Sequence, residues 1–439
     1  MVRKKTATKG SQTNLPLVRP NAAGIDIGAT EIWVALPPGR DEQGMDVRSF
    51  PTFTQDLYRL AAWLKQCSID TVAMESTGVY WIPLFQILED QGIQVFLVNA
   101  HHVKCVPGRK TDIQDCQWLQ FLHSVGLLHA SYRPTQQVCA VRTLIRHRAS
   151  LVKSSATHVH RMQKAMTQMN LQLHHVISDI TGRSGLAIID AILQGERDPV
   201  TLSKLRNMRI KADKEVIIKS LVGDYRPEHI FTLRQSLDAY RHYQNLITEC
   251  DFEIRRVLDH FESHASDHYH DGSLESELKR VFGVDLTKVP SLGVDTVQKI
   301  LGEVGPDFTK FRSASAFASW LTICPNNKIS GGKVLSKQTR KTKSRSAAAL
   351  RMAAQSLHHN KSALVNFYRR MRSVHGAPKA IVATAHKLAQ IIYHLVTTGQ
   401  EYDESRFAAD HNNQKRQLKN LRSKASALGY QLVPLPQPA

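Results

Sequence analysis

Cysteine is scarce in this 439-residue chain, and none of its six cysteines forms a Cys-x-x-Cys pair. The single, scattered thiols argue against a zinc ribbon and against a disulfide framework, and they fit a reducing cytoplasm. No apolar run approaches the roughly 18 residues of a membrane span. The N-terminal MVRKKTATKG lacks the apolar stretch of a secretory signal. We therefore expect a cytoplasmic protein without a membrane partner.

Acidic residues are also few in relation to basic ones. The chain has 58 Lys and Arg against 38 Asp and Glu, a net charge of +20, and its isoelectric point is near 9.8. A chain this basic most often neutralises a polyanion, and nucleic acid is the commonest one. The composition therefore predicts a nucleic-acid-binding protein associated with the nucleoid, but it does not indicate any chemistry.

Apolar residues make up 42% of the chain, enough for globular folding, and the length predicts two or three domains. Near the N-terminus, strand-like segments (AAGIDIGATEIWVALPP, TVAMES, IQVFLVNA) alternate with helix-like ones (FTQDLYRLAAWLKQC, VYWIPLFQILEDQG). This alternation predicts an α/β layer with some parallel strand pairing.

Two long helices are expected next. Apolar residues recur at helical spacing from about 136 to 170 and again from about 227 to 263, the second time with a stripe near the a/d period. Between them, QGERDPVT predicts a break at which Asp198 caps a helix that starts at Pro199. The long helices can pair within one chain or between two. We expect a coiled-coil element that also dimerises.

The segment SHASDHYHDGSLES is polar and is interpreted as a linker. Its histidines and aspartates offer a metal site as the alternative, but a flexible segment does not hold ligand geometry. The following VPSLGVDTVQKILGEVG is similar to a helix–hairpin–helix, which offers backbone N–H groups to a phosphate at a helix start. Ser291 stands where the first glycine of that pattern is usual, so an ordinary helical turn is the alternative.

Four carboxylates stand out by their positions. Asp26 lies at the centre of the first strand, Glu75 ends the strand TVAMES, and Asp112 and Asp115 share one face of a helix start in GRKTDIQDCQWLQFL. Each alone can be a cap or a surface acid. Together they would repel unless cations neutralised them, and hard divalent ions such as Mg²⁺ take oxygen ligands and can clamp a phosphoryl group. The set predicts a metal site that faces nucleic acid.

One serine precedes two glycines in the basic stretch NNKISGGKVLSKQTRKTKSR. A solvated loop is the ordinary interpretation, and a nucleophile facing a phosphate is the other. Glycines let a backbone approach a phosphodiester closely, and a serine hydroxyl needs a base or a metal to lose its proton. Ser336 and Thr339 are rival hydroxyls, but Ser330 alone precedes the glycines. Phosphate contacts are expected from Lys333, Lys337, Arg340, Lys341, Lys343 and Arg345.

These segments together resemble one family of insertion-sequence enzymes. GIDIGATEIWVAL, AMESTGVYW and GRKTDIQDCQWLQ are similar to the Asp–Glu–Asp–Asp series of a RuvC-like nuclease domain with the RNase H fold. VPSLGVDTVQKILGEVG, FASWLTICPNNKISGGKVL and the basic run resemble the C-terminal domain of the IS one-ten family of DEDD transposases, whose studied members are bridge-RNA-guided recombinases. The resemblance spans roughly residues 20–400.

The resemblance implies an α+β multidomain fold, with a RuvC-like domain, a long helical coiled-coil insertion and a mostly helical C-terminal transposase domain. The expected parts are a disordered basic N-terminus at 1–19, the DEDD metal domain at 20–165, the helical coiled coil and linker at 166–275, the transposase domain with the serine at 276–400, and a polar, Pro-rich tail at 401–439.

The resemblance also implies the chemistry. Asp26, Glu75, Asp112 and Asp115 match acids that bind Mg²⁺, for which Mn²⁺ is the expected substitute, and Ser330 matches a nucleophile that attacks DNA. Strand exchange would pass through a covalent 5′-phosphoserine, at a composite site with the acids of one subunit and the serine of another. The implied partners are donor and target DNA, a structured noncoding guide RNA, and further copies in a homodimer or homotetramer.

No RNP motif marks an RNA-binding module, so the guide RNA is implied by the resemblance alone. Arg109 and Lys110, which precede the acid pair, are further expected nucleic-acid contacts. The candidate RNA surface is the basic N-terminus with the basic residues of the first long helix, for which a solvated face is the alternative. Those helix residues are Arg142, Arg146, Arg148, Lys153, Arg161 and Lys164.

Three alternatives come from other classes of function. GIDIGAT also resembles the first phosphate loop of sugar kinases and actin-like ATPases, with Asp26, Gly28 and Thr30 in the same spacing, but no second Asp-Gly-x-Thr loop follows. A hydrolytic RuvC-like nuclease or junction resolvase would keep the acids and use water as the nucleophile. A non-catalytic nucleic-acid-binding protein would have scattered carboxylates and would bind independently of Mg²⁺.

Overall fold

The structure, a computed structural model, describes residues 15–76, 78–99, 111–264, 271–340, 344–359, 362–405 and 411–433. The chain divides into two units, Met1–Arg133 and Pro134–Ala439. The described part contains sixteen α-helices and seven strands. None of these helices is long and apolar enough to cross a membrane.

The first unit is built on five strands, β1 (Ala22–Ile27), β2 (Glu31–Ala35), β3 (Val47–Pro51), β4 (Thr71–Glu75) and β5 (Gln94–Val98). They form one mixed sheet of order β3-β2-β1-β4-β5. β1 pairs antiparallel with β2, and β2 with β3, whereas the β1–β4 and β4–β5 pairs are parallel. The predicted α/β layer with parallel pairing is confirmed.

Helices cover both faces of this sheet. α1 (Thr54–Gln66) and α2 (Trp81–Asp90) share a core with Ile25 of β1. On the other face, α3 (Asp112–Ser124) packs against Ala73 of β4. Because neighbouring residues on a strand face opposite sides, a strand covered on both faces is apolar at consecutive positions. This explains the continuous apolar runs in the sequence of the central strands.

Helix α1 follows directly from its sequence period. Leu57, Leu60, Ala61 and Leu64 recur at i, i+3, i+4 and i+7, and all four are buried against the sheet. Burial of each leucine contributes about 2 kcal/mol. The helix stops before Ser68, whose φ of 57° lies in the left-handed region.

The second unit begins with two long helices that are separated in sequence by four short ones. The predicted cap between them is confirmed, because the Asp198 carboxylate accepts hydrogen bonds from the backbone N–H groups of Val200 and Thr201, with Pro199 as the first helical residue. The six helices are α4 (Gln136–Gln168), α5 (Leu173–Val176), α6 (Arg183–Leu193), α7 (Pro199–Lys204), α8 (Lys214–Ser220) and α9 (Pro227–Leu258).

The long helices α4 and α9 pack against each other within one chain. Arg148 of α4 forms an ion pair with Asp251 of α9. Seven residues later in α4, the Ser155 hydroxyl accepts a hydrogen bond from Gln244, seven residues earlier in α9, at 2.9 Å. Since the contact positions advance along α4 and go back along α9, the two helices are antiparallel. The sequence left the choice between intrachain and interchain pairing open, and the structure pairs the helices within the chain.

The rest of the second unit is mainly helical. Ile145 of α4 and Ile254 of α9 share one buried cluster with residues of the C-terminal helices, such as Ile300 and Leu388. The remaining elements are α10 (Leu274–Phe282), a 3₁₀ turn (Leu286–Lys288), α11 (Val294–Val304), α12 (Ala314–Trp320), β6 (Lys328–Ser330), β7 (Lys333–Ser336), α13 (Arg345–Ser356), a second 3₁₀ turn (Leu357–His359), α14 (Ala363–His375), α15 (Ala377–Thr398) and α16 (His411–Ala427).

The division of the chain after Arg133 differs in position from the expected domain boundaries. Residue 165 lies inside α4 and residue 275 lies inside α10. Within the expected N-terminal segment, the backbone N–H groups of Val18 and Arg19 both donate to the carbonyl of Ser124. Residues 1–14 and residues 265–270 of the expected linker lie outside the described part.

Candidate active site and nucleic-acid interface

Asp26 and Glu75 lie side by side on adjacent parallel strands. The register of β1 and β4 places Ile25 opposite Met74. The next residue on each strand brings Asp26 opposite Glu75, at a strand separation of about 4.8 Å, with both side chains on the same face. Both residues are half-buried. The fold therefore brings together two predicted acids that are distant in sequence.

The face that carries these carboxylates is the one that α3 covers. Gly24 lies so close to α3 that an added Cβ would be 2.2 Å from the carbonyl oxygen of Cys116. Nearer the start of β1, Gln120 Nε2 donates to the carbonyl of Ala22 at 3.2 Å. Between these two contacts α3 advances by four residues, about 6 Å, while β1 goes back by two residues, about 6.6 Å. α3 therefore runs antiparallel to β1, and its first turn lies at the end that carries Asp26.

Asp112 and Asp115 occupy that first turn of α3. Thr111 caps the helix, because its side-chain oxygen accepts a hydrogen bond from the backbone N–H of Gln114 at 3.2 Å. Carboxylates in a first turn also interact favourably with the positive end of the helix dipole. The second acid pair is thereby directed to the same end of the sheet as the first.

The Cys116 thiol reports the charge around it. Burial is the main cause, with smaller contributions from the carboxylates of Asp26 and Asp115, and together they raise its pKa to about 12. Its Sγ donates a weak hydrogen bond to the carbonyl of Ile113 at 3.1 Å. The thiol therefore stays protonated, and Asp26 of β1 and Asp115 of α3 are both close enough to act on it.

The donor set suits a hard cation that is held partly by its substrate. Among the residues that the structure describes, no group of three or more His, Cys, Asp and Glu side chains is arranged to hold an ion by itself. Mg²⁺ is usually bound by one or two carboxylates together with waters and substrate phosphates, rather than by an all-protein cage. The adjacent carboxylates of Asp26 and Glu75 match that requirement.

Ser330 stands at the tip of an exposed two-stranded hairpin. It lies opposite Lys333 in the antiparallel pairing of β6 and β7. Gly331 and Gly332 form the turn with φ values of 54° and 75°, which is the pattern of a type I′ turn that glycine adopts without strain. No described atom lies within 4 Å of a Cβ position on either glycine. The hydroxyl is therefore presented to open space.

The two rival hydroxyls lie at the base of this hairpin. Ser336 is half-buried, and its hydroxyl oxygen accepts a hydrogen bond from the backbone N–H of Gln338 at 3.3 Å. Thr339 is also half-buried and forms a β-bridge with Pro325. Of the three hydroxyls, only that of Ser330 is at the exposed tip.

The basic residues that were predicted to contact phosphate differ in their exposure and in their hydrogen bonds. Lys333, Lys337 and Arg345 are exposed, and Arg345 is the first residue of α13. Arg340 has a structural contact as well, because its guanidinium donates to the carbonyl of Ser319 at 2.7 Å and ties the hairpin to α12. Four further predicted contacts lie outside the described residues: Arg109, Lys110, Lys341 and Lys343.

Three basic residues of the expected RNA surface on α4 form ion pairs with other helices of the second unit. Arg142 and Arg146 both form ion pairs with Glu303 of α11, and the Arg146 contact is bidentate. Arg148 forms a bidentate pair with Asp251 of α9, at 2.5 and 3.1 Å. These arginines are committed to carboxylates of the same chain, and this part of α4 is not a free basic face.

The predicted helix–hairpin–helix turn has the expected backbone in spite of its sequence. Ser291 occupies the left-handed region with a φ of 73°, where glycine is usual. Gly293 is the residue before α11, and Asp295 in the first turn of that helix pairs with Lys299 at 2.5 Å. A carboxylate therefore stands at the helix start where the pattern would place a phosphate.

Two features of the site were not predicted. The close approach of α3 at Gly24 depends on a helix about ninety residues away, and a lone glycine in a strand gives little signal of it. The other is a charge pattern: residues 308–400 contain 16 Lys and Arg but no Asp or Glu. A charge count along the chain would have found this acid-free segment, which includes Ser330.

The comparisons with known families identify the class of protein as a DEDD-type transposase. A model of IS110-type DEDD enzymes, described as Transposase, matches residues 23–171, and one described as Transposase IS116/IS110/IS902 family matches residues 285–369. The first match includes the four acids and the second includes Ser330.

The chain belongs to the IS110 (IS one-ten) family of transposases. It is therefore an enzyme that acts on DNA, and DEDD transposases typically use a divalent metal ion. No individually curated protein matches the chain.

Proposed function

We propose that this transposase cleaves and exchanges DNA strands through a covalent 5′-phosphoserine formed by Ser330. The observation that supports this most directly is the hairpin tip, where an exposed hydroxyl precedes a two-glycine turn and lies opposite Lys333. An open tip of this kind can approach a phosphodiester backbone closely. The lysine ammonium can stabilise the charge that develops on the phosphate.

In the proposed step, the Ser330 oxygen attacks a DNA phosphorus atom. The new bond joins the serine oxygen to phosphorus, and the bond between phosphorus and the 3′ oxygen breaks. The serine gives up its proton, and the departing 3′ oxygen gains one. Since one phosphate ester replaces another, the reverse attack by a 3′-hydroxyl of a second strand can rejoin DNA without an energy-rich cosubstrate. This makes the step suitable for strand exchange.

We propose Asp26, Glu75, Asp112 and Asp115 as the ligands of Mg²⁺, with Mn²⁺ as a substitute. A divalent ion, when bound there, lowers the cost of ionising a nucleophile and neutralises phosphate charge. The chain itself supplies the parallel pairing that holds Asp26 beside Glu75 and the cap that orients the first turn of α3. The protonated thiol of Cys116 occupies the space near Asp26 and Asp115 without adding negative charge.

We propose further that the first unit is a RuvC-like domain with the RNase H fold. Its mixed sheet supports this, because the central β1 has an antiparallel neighbour on one side and a parallel neighbour on the other. The expected domain boundaries at 19, 165, 275 and 400 remain part of the proposal.

The last part of the proposal concerns the oligomeric state and a guide RNA. In it, α4 and α9 form a coiled-coil element that also contacts a second copy, in a homodimer or homotetramer. The acids of one subunit act with the serine of another, as the family resemblance implies. A structured guide RNA selects the donor and target DNA, which is consistent with the net charge of +20.

The test is a covalent-adduct assay on the full-length protein. Purified protein, RNA transcribed from the flanking element and labelled donor and target DNA are incubated with Mg²⁺, denatured and separated on a gel. We expect a protein–DNA adduct that is absent from Ser330→Ala. Ser336→Ala is the matched control, because it removes a hydroxyl from the same hairpin, and its adduct should be retained.

The hydrolytic alternative makes a different prediction in the same assay. If water is the nucleophile, DNA is cleaved without an adduct, and Ser330→Ala still cleaves. That result would reject the phosphoserine and reduce Ser330 to a phosphate contact. An adduct that is retained in Ser330→Ala and lost in Ser336→Ala would keep the phosphoserine mechanism but reject Ser330 as the nucleophile.

A further inference from the structure

A cleft of about 450 Å³ lies between the long helices of the second unit, towards the end of α4 and the start of α9. It is far along α4 from the ion pairs that bind α11. Its lining contains cations, amides and hydroxyls but no carboxylate. The lining residues that carry the inference are His158, Arg161, Lys164 and Gln168 of α4, with Thr232 and Gln235 of α9.

The two cations that line the cleft differ from the arginine nearer the start of α4. Arg148, earlier in α4, is matched by a carboxylate of α9. Arg161 and Lys164, in contrast, have no ion-pair partner among the described residues, and both are exposed. Two positive charges on one side of a cleft without an acidic neighbour repel each other slightly, and an anion between them would relieve that repulsion. Among the described residues, the cations at this end of α4 therefore have no carboxylate to pair with, whereas Arg148 does.

The walls of the cleft are held in place by the core beneath them. Met162 and Met166 of α4 are fully buried, in one cluster with Leu233 and Leu237 of α9. Since these positions alternate with Arg161 and Lys164 around the helix, the apolar contacts fix which way the cations face. The two helix faces that line the cleft are thus held in place by the core.

His158, which lines the cleft, also has an unpartnered ring nitrogen among the described residues. Nδ1 of His158 is buried and has no hydrogen-bond partner among the described residues. The imidazole stacks on the Tyr243 ring, with centroids 5.4 Å apart and planes at 28°. Burial, and then the charge of Arg161, lower the pKa of His158. A neutral imidazole with an unsatisfied ring nitrogen can donate to an oxygen or accept from a hydroxyl.

We infer that this cleft binds the sugar–phosphate backbone of a nucleic-acid strand, at a site separate from the Ser330 hairpin. Arg161 and Lys164 contact phosphate oxygens, because these are the charges that a phosphodiester supplies along its length. The side-chain amides of Gln168 and Gln235 can donate to phosphate and sugar oxygens beside the cations. The Thr232 hydroxyl already donates to the carbonyl of His229 at 3.0 Å, so its oxygen can accept from a sugar hydroxyl. The inference rests on the proposed function only in taking nucleic acid as the ligand.

The experiment compares the full-length protein with Arg161→Gln/Lys164→Gln. Binding of a single-stranded RNA and of a DNA of the same sequence, each about 20 nucleotides long, is measured by fluorescence anisotropy at several salt concentrations between about 50 and 200 mM. The control is Lys204→Gln/Lys211→Gln, which removes the same charge from exposed positions that do not line the cleft.

We expect the cleft variant to bind at least one strand roughly tenfold more weakly, with a salt dependence whose slope falls by about 1.4, the value for two phosphate contacts on a single strand. The control should change affinity by less than about twofold. A loss for RNA alone would identify ribose as part of the ligand, a loss for DNA alone would identify DNA, and a loss for both would indicate the shared phosphodiester.

Two results would overturn the inference. One is an unchanged affinity and salt slope in the cleft variant for both strands. The other is an equal loss in the control, which would mean that overall charge rather than the cleft is responsible. The proposed phosphoserine can fail separately, because an adduct missing from the wild-type protein does not affect a binding loss that is specific to the cleft variant.

Discussion

Ser330 and Lys333 lie opposite each other across a two-residue turn, so a hydroxyl and a cation share the exposed tip of one hairpin. Their pairing depends on two consecutive glycines with positive φ values. Because a type I′ turn matches the twist of the flanking strands, the turn also sets which residues of β6 and β7 are opposite each other. The backbone conformation of this turn therefore determines where the proposed nucleophile lies.

The hairpin turn can be tested at Gly331. Gly331→Val places a β-branched residue at a φ of 54°, which costs on the order of 2 kcal/mol and should displace Ser330 from its pairing with Lys333. Gly331→Asn is the control, because asparagine tolerates the left-handed region. We expect the valine variant to lose most of its covalent adduct with DNA and the asparagine variant to retain it. A full adduct in the valine variant would show that the turn geometry is unimportant.

The metal-site proposal can be tested at Asp26. Asp26→Asn keeps the size of the side chain but removes one charge beside Glu75, so divalent-ion-dependent cleavage should fall at least about a hundredfold, or about 2.7 kcal/mol of barrier. Binding of DNA and RNA should remain close to that of the wild type. Asp56→Asn, an acid of α1 that pairs with exposed Arg59, is the control and should cleave normally. Unimpaired cleavage by Asp26→Asn would remove this residue from the site.

The contact between β1 and α3 can be tested at Gly24. A methyl group there would lie 2.2 Å from the backbone at Cys116 and at Gln120. Gly24→Ala should therefore push α3 away, cost about 2 kcal/mol in the free energy of unfolding and reduce cleavage. Gly293→Ala is the control, because its Cβ would meet open space and its φ is negative. Urea unfolding measures both variants, and a stable, fully active Gly24→Ala protein would contradict this packing.

The stability of the first unit should depend on pH through His123. This residue is fully buried, its Nε2 lies 2.9 Å from the Thr71 hydroxyl, and burial, with the charge of Arg19, lowers its pKa to about 4. Because the unfolded chain takes up a proton near pH 6.5 and the folded one only near pH 4, stability should fall as the pH drops through this window. The loss is on the order of 3 kcal/mol.

The measurement is the urea midpoint of the full-length protein at pH 7.5 and at pH 4.5. His123→Leu should lose part of the pH dependence, whereas His129→Gln, at an exposed position, should keep it. An identical pH dependence in the wild type and in His123→Leu would mean that His123 does not titrate in this window.

The ion pair between α4 and α9 can be tested by a double-mutant cycle. Arg148 and Asp251 are only about a quarter exposed, at 23% and 25% of their side-chain areas, and their contact is bidentate. We expect a coupling of about 1 to 2 kcal/mol for Arg148→Met with Asp251→Leu. The more exposed Arg256–Glu253 pair of α9 is the control, with an expected coupling below about 0.5 kcal/mol. Equal couplings would contradict a structural role for Arg148.

The parts of this fold that the sequence predicted are local ones. The buried positions of α1 followed from their spacing, the cap at Asp198 from its place before a proline, and the long helices from their apolar period. The two glycines after Ser330 marked a turn for the same reason. Each of these features is specified by residues within one or two turns of the chain, so the sequence alone is sufficient to show it.

The tertiary structure decided what distant residues do to one another. It placed Asp26 beside Glu75, which lies 49 positions later, by a parallel pairing that no local pattern specifies. It also separated arginines that look alike in sequence: Arg148 is neutralised by α9, whereas Arg161 faces an uncompensated cleft. The sequence determined the residue types and their periodicity, and the fold determined their partners, because charge and burial depend on contacts between segments that are far apart along the chain.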